Sequence, residues 1–243
     1  MPLKNQAGAR SPQPMARFAG LLYLVITVAA IVAHFYVPAQ LLVPGDAAAT
    51  AANIQASGTL FRVGIGSEVV VLLSEVALSI VLYLLFKPVN KTLSLLAAVF
   101  RLAMTVVHAV NLLNYFFVLL LLSGADYLAV FEADQLQALA LFFLDAHSYG
   151  FTIGIVFLAP HVFLLGYLIF RSGYFPRAIG VLFLLAACGY LFDSIGLLLV
   201  PGYGATPALF ALLIALAEIA FPLWLLIKGV NGEQWSKRTL PAA

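Results

Sequence analysis

Six stretches of about twenty or more mostly apolar residues recur along this chain, and no other feature restricts its fold as much. Their limits read as 18–37, 61–86, 93–122, 148–170, 177–200 and 206–228. A bilayer's hydrocarbon core is ~30 Å thick, and a helix needs ~20 apolar residues to cross it. In hydrocarbon every backbone N–H and C=O must be satisfied within the protein, so segments of this length cross as helices. Of 243 residues, 64% are hydrophobic and 9% are charged, whereas a soluble domain carries about 25% charged residues. So few charges can cover only the ends of a bundle. The fold expected is all-α: a polytopic six-transmembrane-helix bundle over 18–230, with an N-terminal tail over 1–17 and a C-terminal tail over 231–243.

The breaks between segments carry the matching chemistry. Lys87 stands at a helix end, Pro88 just beyond it, and Asn90 where an N-cap is wanted. Gly173 falls just past span four and Pro176 at the first turn of span five. The bases Lys4, Arg10, Arg17, Lys87, Lys91, Arg171, Arg177, Lys228, Lys237 and Arg238 all fall on one side. The opposite loops hold Asp46, Asp126, Glu132 and Asp134, with Arg62 the one base near that edge. The positive-inside rule then expects both termini in the cytoplasm, as an even number of spans requires of a shared side. Span one follows a basic start, but it is longer than the 7–15 residues of a signal's apolar region and is expected to be a retained signal-anchor.

Two connecting stretches are not simple spans. "PGDAAATAANIQASG" is expected to form a short outer helix capped by Asp46 and ended by Gly58. Residues 124–147 are too polar for a clean span, with Gln135, Gln137, Asp145 and His147. Either this stretch lies on the outer surface and turns inward near Gly150, or it extends span four outward as helix.

The net charge is only +2, and the bases are scattered, which points away from nucleic acid. The lone Cys188 rules out an intrachain disulfide, a multi-cysteine zinc site and cysteine-attached haem, and reads as an ordinary buried thiol. Trp224 and Trp235 read as packing or interface anchors, and His34 as an interfacial residue at the outer end of span one.

Polar residues within the spans carry the functional signal. Taking each segment's midpoint as the bilayer centre puts Glu75, His108, His161 and Glu218 at one depth on four different helices. Glu68, Asp145, His147 and Asp193 then form an outer vestibule, with Arg101 as a charge partner on the inner side. A charge at a helix centre costs roughly 2.5–3.5 kcal/mol on the insertion scale. These groups must therefore face the bundle interior. Three uses fit them. One is a proton, ion or small-solute path. Another is an intramembrane enzyme with an unidentified cofactor, whose metal ligands would come from His108, His161, Glu75 and Glu218, or whose haem would sit between the two histidines. The third is a structural or regulatory role in which Ser79, Thr105, Asn111 and Asn114 are interhelical hydrogen-bond glue. The partners expected are the lipid bilayer and a small solute, proton or lipid-like ligand. The first use is slightly favoured.

"LYLLFKPVNKTLSLLAAVFRLA" and "LLGYLIFRSGYFPRAIGVLFLLAACGYLFDS" resemble the bacterial multipass family known as domain of unknown function 4386. The opening "ARFAGLLYL", the loop "PGDAAATAANI" and the ending "WLLIKGV" fit the same pattern, so the resemblance covers about 16–230. Its most specific part combines Gly166, Arg171, Ser172, Gly173, Pro176, Arg177 and Gly180, residues that caps, turns and the positive-inside rule also explain. The resemblance implies a six-helix protein of a bacterial inner membrane and implies no activity.

Overall fold

In the computed structural model, which describes residues 11–239, the chain is helical with no strand among those residues. Six helices are long and apolar enough to cross a membrane: Gln13–Leu41, Gly58–Phe86, Lys91–Leu121, Ala133–Ser172, Arg177–Leu199 and Ala208–Ile227. They are called spans one to six here. Lys4 and Arg10, and most of the N-terminal tail, lie outside the described residues. The remaining helices include the short Ala47–Ala56 and a C-terminal helix, Gly232–Thr239.

Local signals act largely as the sequence predicts. Asp46 accepts from the Ala49 N–H at 2.9 Å, and Asn90 from the Leu93 N–H at 2.9 Å. Gly173 closes span four in the left-handed conformation (φ 77°), where a side chain would be strained. Three details differ. The short helix stops at Ala56, and Gly58 opens span two instead of ending that helix. Cys188 is exposed on span five, so it faces outward and is not a buried thiol. Residues 133–172 form one continuous helix of 40 residues, so the stretch before Gly150 extends span four and does not turn.

The spans pack in chain order, each on the next, and span six returns to span one, which closes a ring. The Gln13 side chain locks that closure. Its Nε2–H donates to the Val230 carbonyl at 2.6 Å, and the Val230 N–H donates back to Oε1 at 3.2 Å. Both ends of the described chain therefore lie on one side, called the tail side. At ~1.5 Å per residue, spans five and six reach ~30–35 Å, spans one to three ~44–47 Å and span four ~60 Å. The surplus length all stands on the far side.

The tail-side half of the ring is filled. Tyr23, Leu78, Leu82, Leu165, Phe183 and Phe221 belong to one buried apolar cluster there. Tyr174, in the turn between spans four and five, reaches in and donates to the Leu85 carbonyl at 2.7 Å, and burial holds its phenol above the usual range. Spans four and five meet backbone to backbone: a Cβ on Gly180 would come within 2.8 Å of the Gly166 carbonyl oxygen. These two glycines are neither caps nor turns. They let two helices touch, which is the use small residues have in membrane packing.

Candidate functional site

The far-side half of the ring encloses a cavity of about 500 Å³ lined by all six spans. Its floor is built at mid-depth. Counted from the tail-side helix ends at ~1.5 Å per residue, Arg101, Glu75, His161 and Glu218 all stand ~14–17 Å up. Arg101 Nε–H donates to the Glu75 carboxylate, and both side chains are buried. The Arg101 guanidinium also lies 5.3 Å from the centre of the Tyr23 ring, a cation–π contact. Glu218 accepts from the Tyr190 hydroxyl at 3.0 Å.

His161 is fixed by what its neighbours are able to do. Arg101 Nη1 stands 2.9 Å from His161 Nε2, and a guanidinium only donates. His161 Nδ1 lies 2.9 Å from the Ala97 carbonyl, which only accepts. The ring is therefore the Nδ1–H tautomer, with both nitrogens engaged. It positions Arg101 and has no lone pair left for a metal.

His108 stands higher, ~26 Å up. Its Nε2–H donates to the Phe151 carbonyl at 3.0 Å, and its ring stacks on Phe151 at 4.8 Å. A Cβ at Gly154 would occupy the His108 ring, and one at Gly150 would occupy the Asn111 amide. Span four thus carries two notches, one turn apart, that receive two side chains of span three. Asn111 Nδ2–H donates onward to the His147 carbonyl at 2.9 Å, and the Ser79 hydroxyl to the Ala98 carbonyl at 3.0 Å. These groups are the glue of the ring.

A second cluster stands at the upper wall, where Glu68 and His34 line the cavity and His147 and Tyr115 lie behind them. Glu68 Oε1 lies 3.4 Å from His34 Nδ1 and 3.9 Å from His147 Nε2. That oxygen is buried with no hydrogen-bond partner among the described residues. Tyr115 stacks on the His147 ring at 3.8 Å. Asp193 accepts from the Tyr203 hydroxyl at 2.8 Å and lines the cavity near Thr206, at its far-side end.

The depths expected from segment midpoints therefore need adjusting in places. Glu75, His161 and Glu218 share the mid-depth layer with Arg101, which stands beside them and not below. His108 belongs to the upper layer. Of the expected vestibule, Asp145 is exposed and His147 is buried behind Glu68, and neither lines the cavity. The four expected ligands do not converge, and among the described residues no group of three His, Cys, Asp or Glu side chains is placed to hold a metal ion.

His34 stands at the far-side end of span one, as expected, but faces the cavity as well as the interface. It lies in a π-helical turn, Ile31–Tyr36, and points into the cavity toward Glu68. The signal was Pro38, four residues on: a proline has no N–H for the His34 carbonyl and its ring crowds that oxygen. The helix answers with the wider register, in which the Val37 N–H reaches the Val32 carbonyl. Such π turns recur at functional sites.

The family described as "Domain of unknown function (DUF4386)" matches residues 18–229. An Archaeoglobus fulgidus protein described only as uncharacterized is 29% identical over 159 residues, which is 65% of this chain and 79% of that protein. No solved structure matches this chain.

Proposed function

The chain belongs to the DUF4386 family, whose description states no activity, and from its site we propose a transport-like role: handling a small solute together with protons in the central cavity. The observation that carries this is a cavity walled by all six spans that ends blind, at mid-depth, on Arg101, Glu75 and Glu218. A purely structural polar core would close on itself and leave no such space. Here His161, Asn111 and Ser79 are consumed by packing, while Glu218, Asp193 and Glu68 border open volume. Intramembrane ionisable groups facing a cavity are functional candidates by default.

The tail side is the cytoplasmic side in this proposal, and the membrane is the cell's inner or plasma membrane. Arg17, Lys87, Lys91, Arg171, Arg177, Lys228, Lys237 and Arg238 all lie on the tail side. In this proposal the cavity, whose lining reaches Thr206 in the connection between spans five and six, opens away from the cytoplasm.

Proteoliposomes holding a pH-sensitive dye test the role. After a pH step across the membrane, wild-type protein should move protons faster than protein-free liposomes, and Glu218→Gln should lose most of that excess. Equal rates in wild type, Glu218→Gln and empty liposomes would count against the proposal.

A further inference from the structure

The charges bordering the cavity do not balance. Glu68, Glu75, Asp193 and Glu218 supply four carboxyl groups, and Arg101 is the one lysine or arginine among the lining residues. Arg101 is committed to Glu75 through Nε and to His161 through Nη1. Glu218 and Asp193 are each met by a tyrosine hydroxyl, which orients a carboxylate but cannot neutralise it. Glu68 brings a buried carboxylate oxygen with no hydrogen-bond partner among the described residues, and the only bases near it are the histidines His34 at 3.4 Å and His147 at 3.9 Å.

An unpaired carboxylate away from water is strongly disfavoured, so each such group must take up a proton or meet a cation. A bare metal ion does not suit this space. Hard cations want six or more oxygen ligands, and the described residues offer no converging set. The walls between floor and rim are instead mostly apolar or aromatic, among them Ile26, Val71, Met104, Ile155, Ile214 and Phe151, with His108 and a few hydroxyl side chains between them. A volume of about 500 Å³ is within the range of small-molecule sites.

Resting on the transport-like reading above, we propose that the cavity's ligand is an organic cation with an apolar body, such as a substituted ammonium, and that it exchanges with the proton of Glu218. The cation enters from the far side, its apolar body lies against the aliphatic wall, and its charge replaces the proton on the carboxyl group. The exchange balances: Glu218–COOH plus a cation gives Glu218–COO⁻ paired with that cation, and one proton is released. Four groups face Glu218 from the other elements: Tyr190 of span five, Arg101 of span three, Glu75 of span two and Tyr23 of span one. One guanidinium cannot neutralise both Glu75 and Glu218, which leaves the site with acid to spare. His161 of span four faces Arg101 and is not itself free to exchange. Asp193, between Glu218 and the far side, serves as the first point of attraction.

Equilibrium binding to the purified full-length protein in mild detergent tests this with probes matched in shape and opposite in charge. Tetraphenylphosphonium and the smaller tetrapropylammonium are the cations, and tetraphenylborate is the anion. At least one cation should bind saturably at one per chain. Its affinity should fall tenfold or more in Glu218→Gln, and also fall as pH is lowered, because protons compete. Tetraphenylborate should show no saturable site. Asp193→Asn gives a second variant, nearer the far side, expected to weaken binding severalfold if Glu218→Gln does not fold. Saturable tetraphenylborate binding, or no saturable binding of either cation, would overturn the inference. The liposome assay separates the two failures: proton movement sensitive to Glu218 with no cation binding rejects the ligand class alone, whereas loss of both rejects the transport-like role as well.

Discussion

Removing Glu75 should expose how the cavity floor is held together. Glu75 and Arg101 are each 5% exposed, and the pair crosses from span two to span three. Replacing one member of a buried ion pair leaves the other charge without compensation, at a cost of roughly 3–5 kcal/mol. Glu75→Leu should therefore lower stability by about that amount. Removing both charges is different, because a buried pair replaced by apolar residues is commonly neutral or better. The double variant Glu75→Leu/Arg101→Leu should recover most of the loss. It should stay about 1–3 kcal/mol short of full recovery, because His161 Nε2 then loses the donor that Arg101 supplies. Unfolding in mixed detergent micelles, followed by tryptophan fluorescence, measures all four corners of the cycle. A cost for Glu75→Leu below about 1 kcal/mol, or a double variant no more stable than the single one, would refute a buried charge pair at the floor.

Other consequences reach different parts of the fold. Gly180→Val should destabilise by at least about 1–3 kcal/mol, since its side chain would strike the backbone of span four, and thermal unfolding would show the shift. Tyr174→Phe should cost about 1 kcal/mol through the lost bond to the Leu85 carbonyl. Burial raises the folded-state value of that phenol, so its contribution is complete below the unfolded value near pH 10 and is lost as pH rises through the folded one. Stability of the wild type should therefore fall more steeply above about pH 10 than that of Tyr174→Phe. For His161, nitrogen-15 NMR at neutral pH should find the proton on Nδ1, and a proton on Nε2 would contradict the assigned hydrogen bonds.

The six spans were legible in the sequence because crossing a bilayer demands long apolar runs, and hydrocarbon tolerates few exceptions. Asp46, Asn90 and Gly173 were legible because a cap needs a particular side chain or a particular backbone conformation at one position. Depth was harder to read. A segment's midpoint marks the bilayer centre only if the helix overhangs equally at both ends, and spans one to four overhang on the far side alone. That error placed His108 too deep and Arg101 too far toward the tail side. Direction around the helix was harder still. Glu68 and Glu75 were both expected to face the bundle interior, and both do line the cavity. His34 reached that cavity through a change of helical register which 3.6-residue periodicity does not describe, although Pro38 marked the place. Gly150 and Gly154 gave no sign of being notches, because nothing in span four alone tells which side chains of span three will fill them.

Side-resolved thiol labelling tests whether the cavity is open toward the far side and sealed toward the tail side. With Cys188→Ser as background, Ile214→Cys places a thiol on the cavity wall, Ala217→Cys places one in the packed tail-side core, and Glu233→Cys marks the tail side. A membrane-impermeant thiol reagent would be applied to right-side-out and inverted vesicles. Ile214→Cys should react in the vesicles where Glu233→Cys is protected, and Ala217→Cys should react in neither. Labelling of Ile214→Cys from the same side as Glu233→Cys, or from neither side, would contradict a cavity open toward the far side.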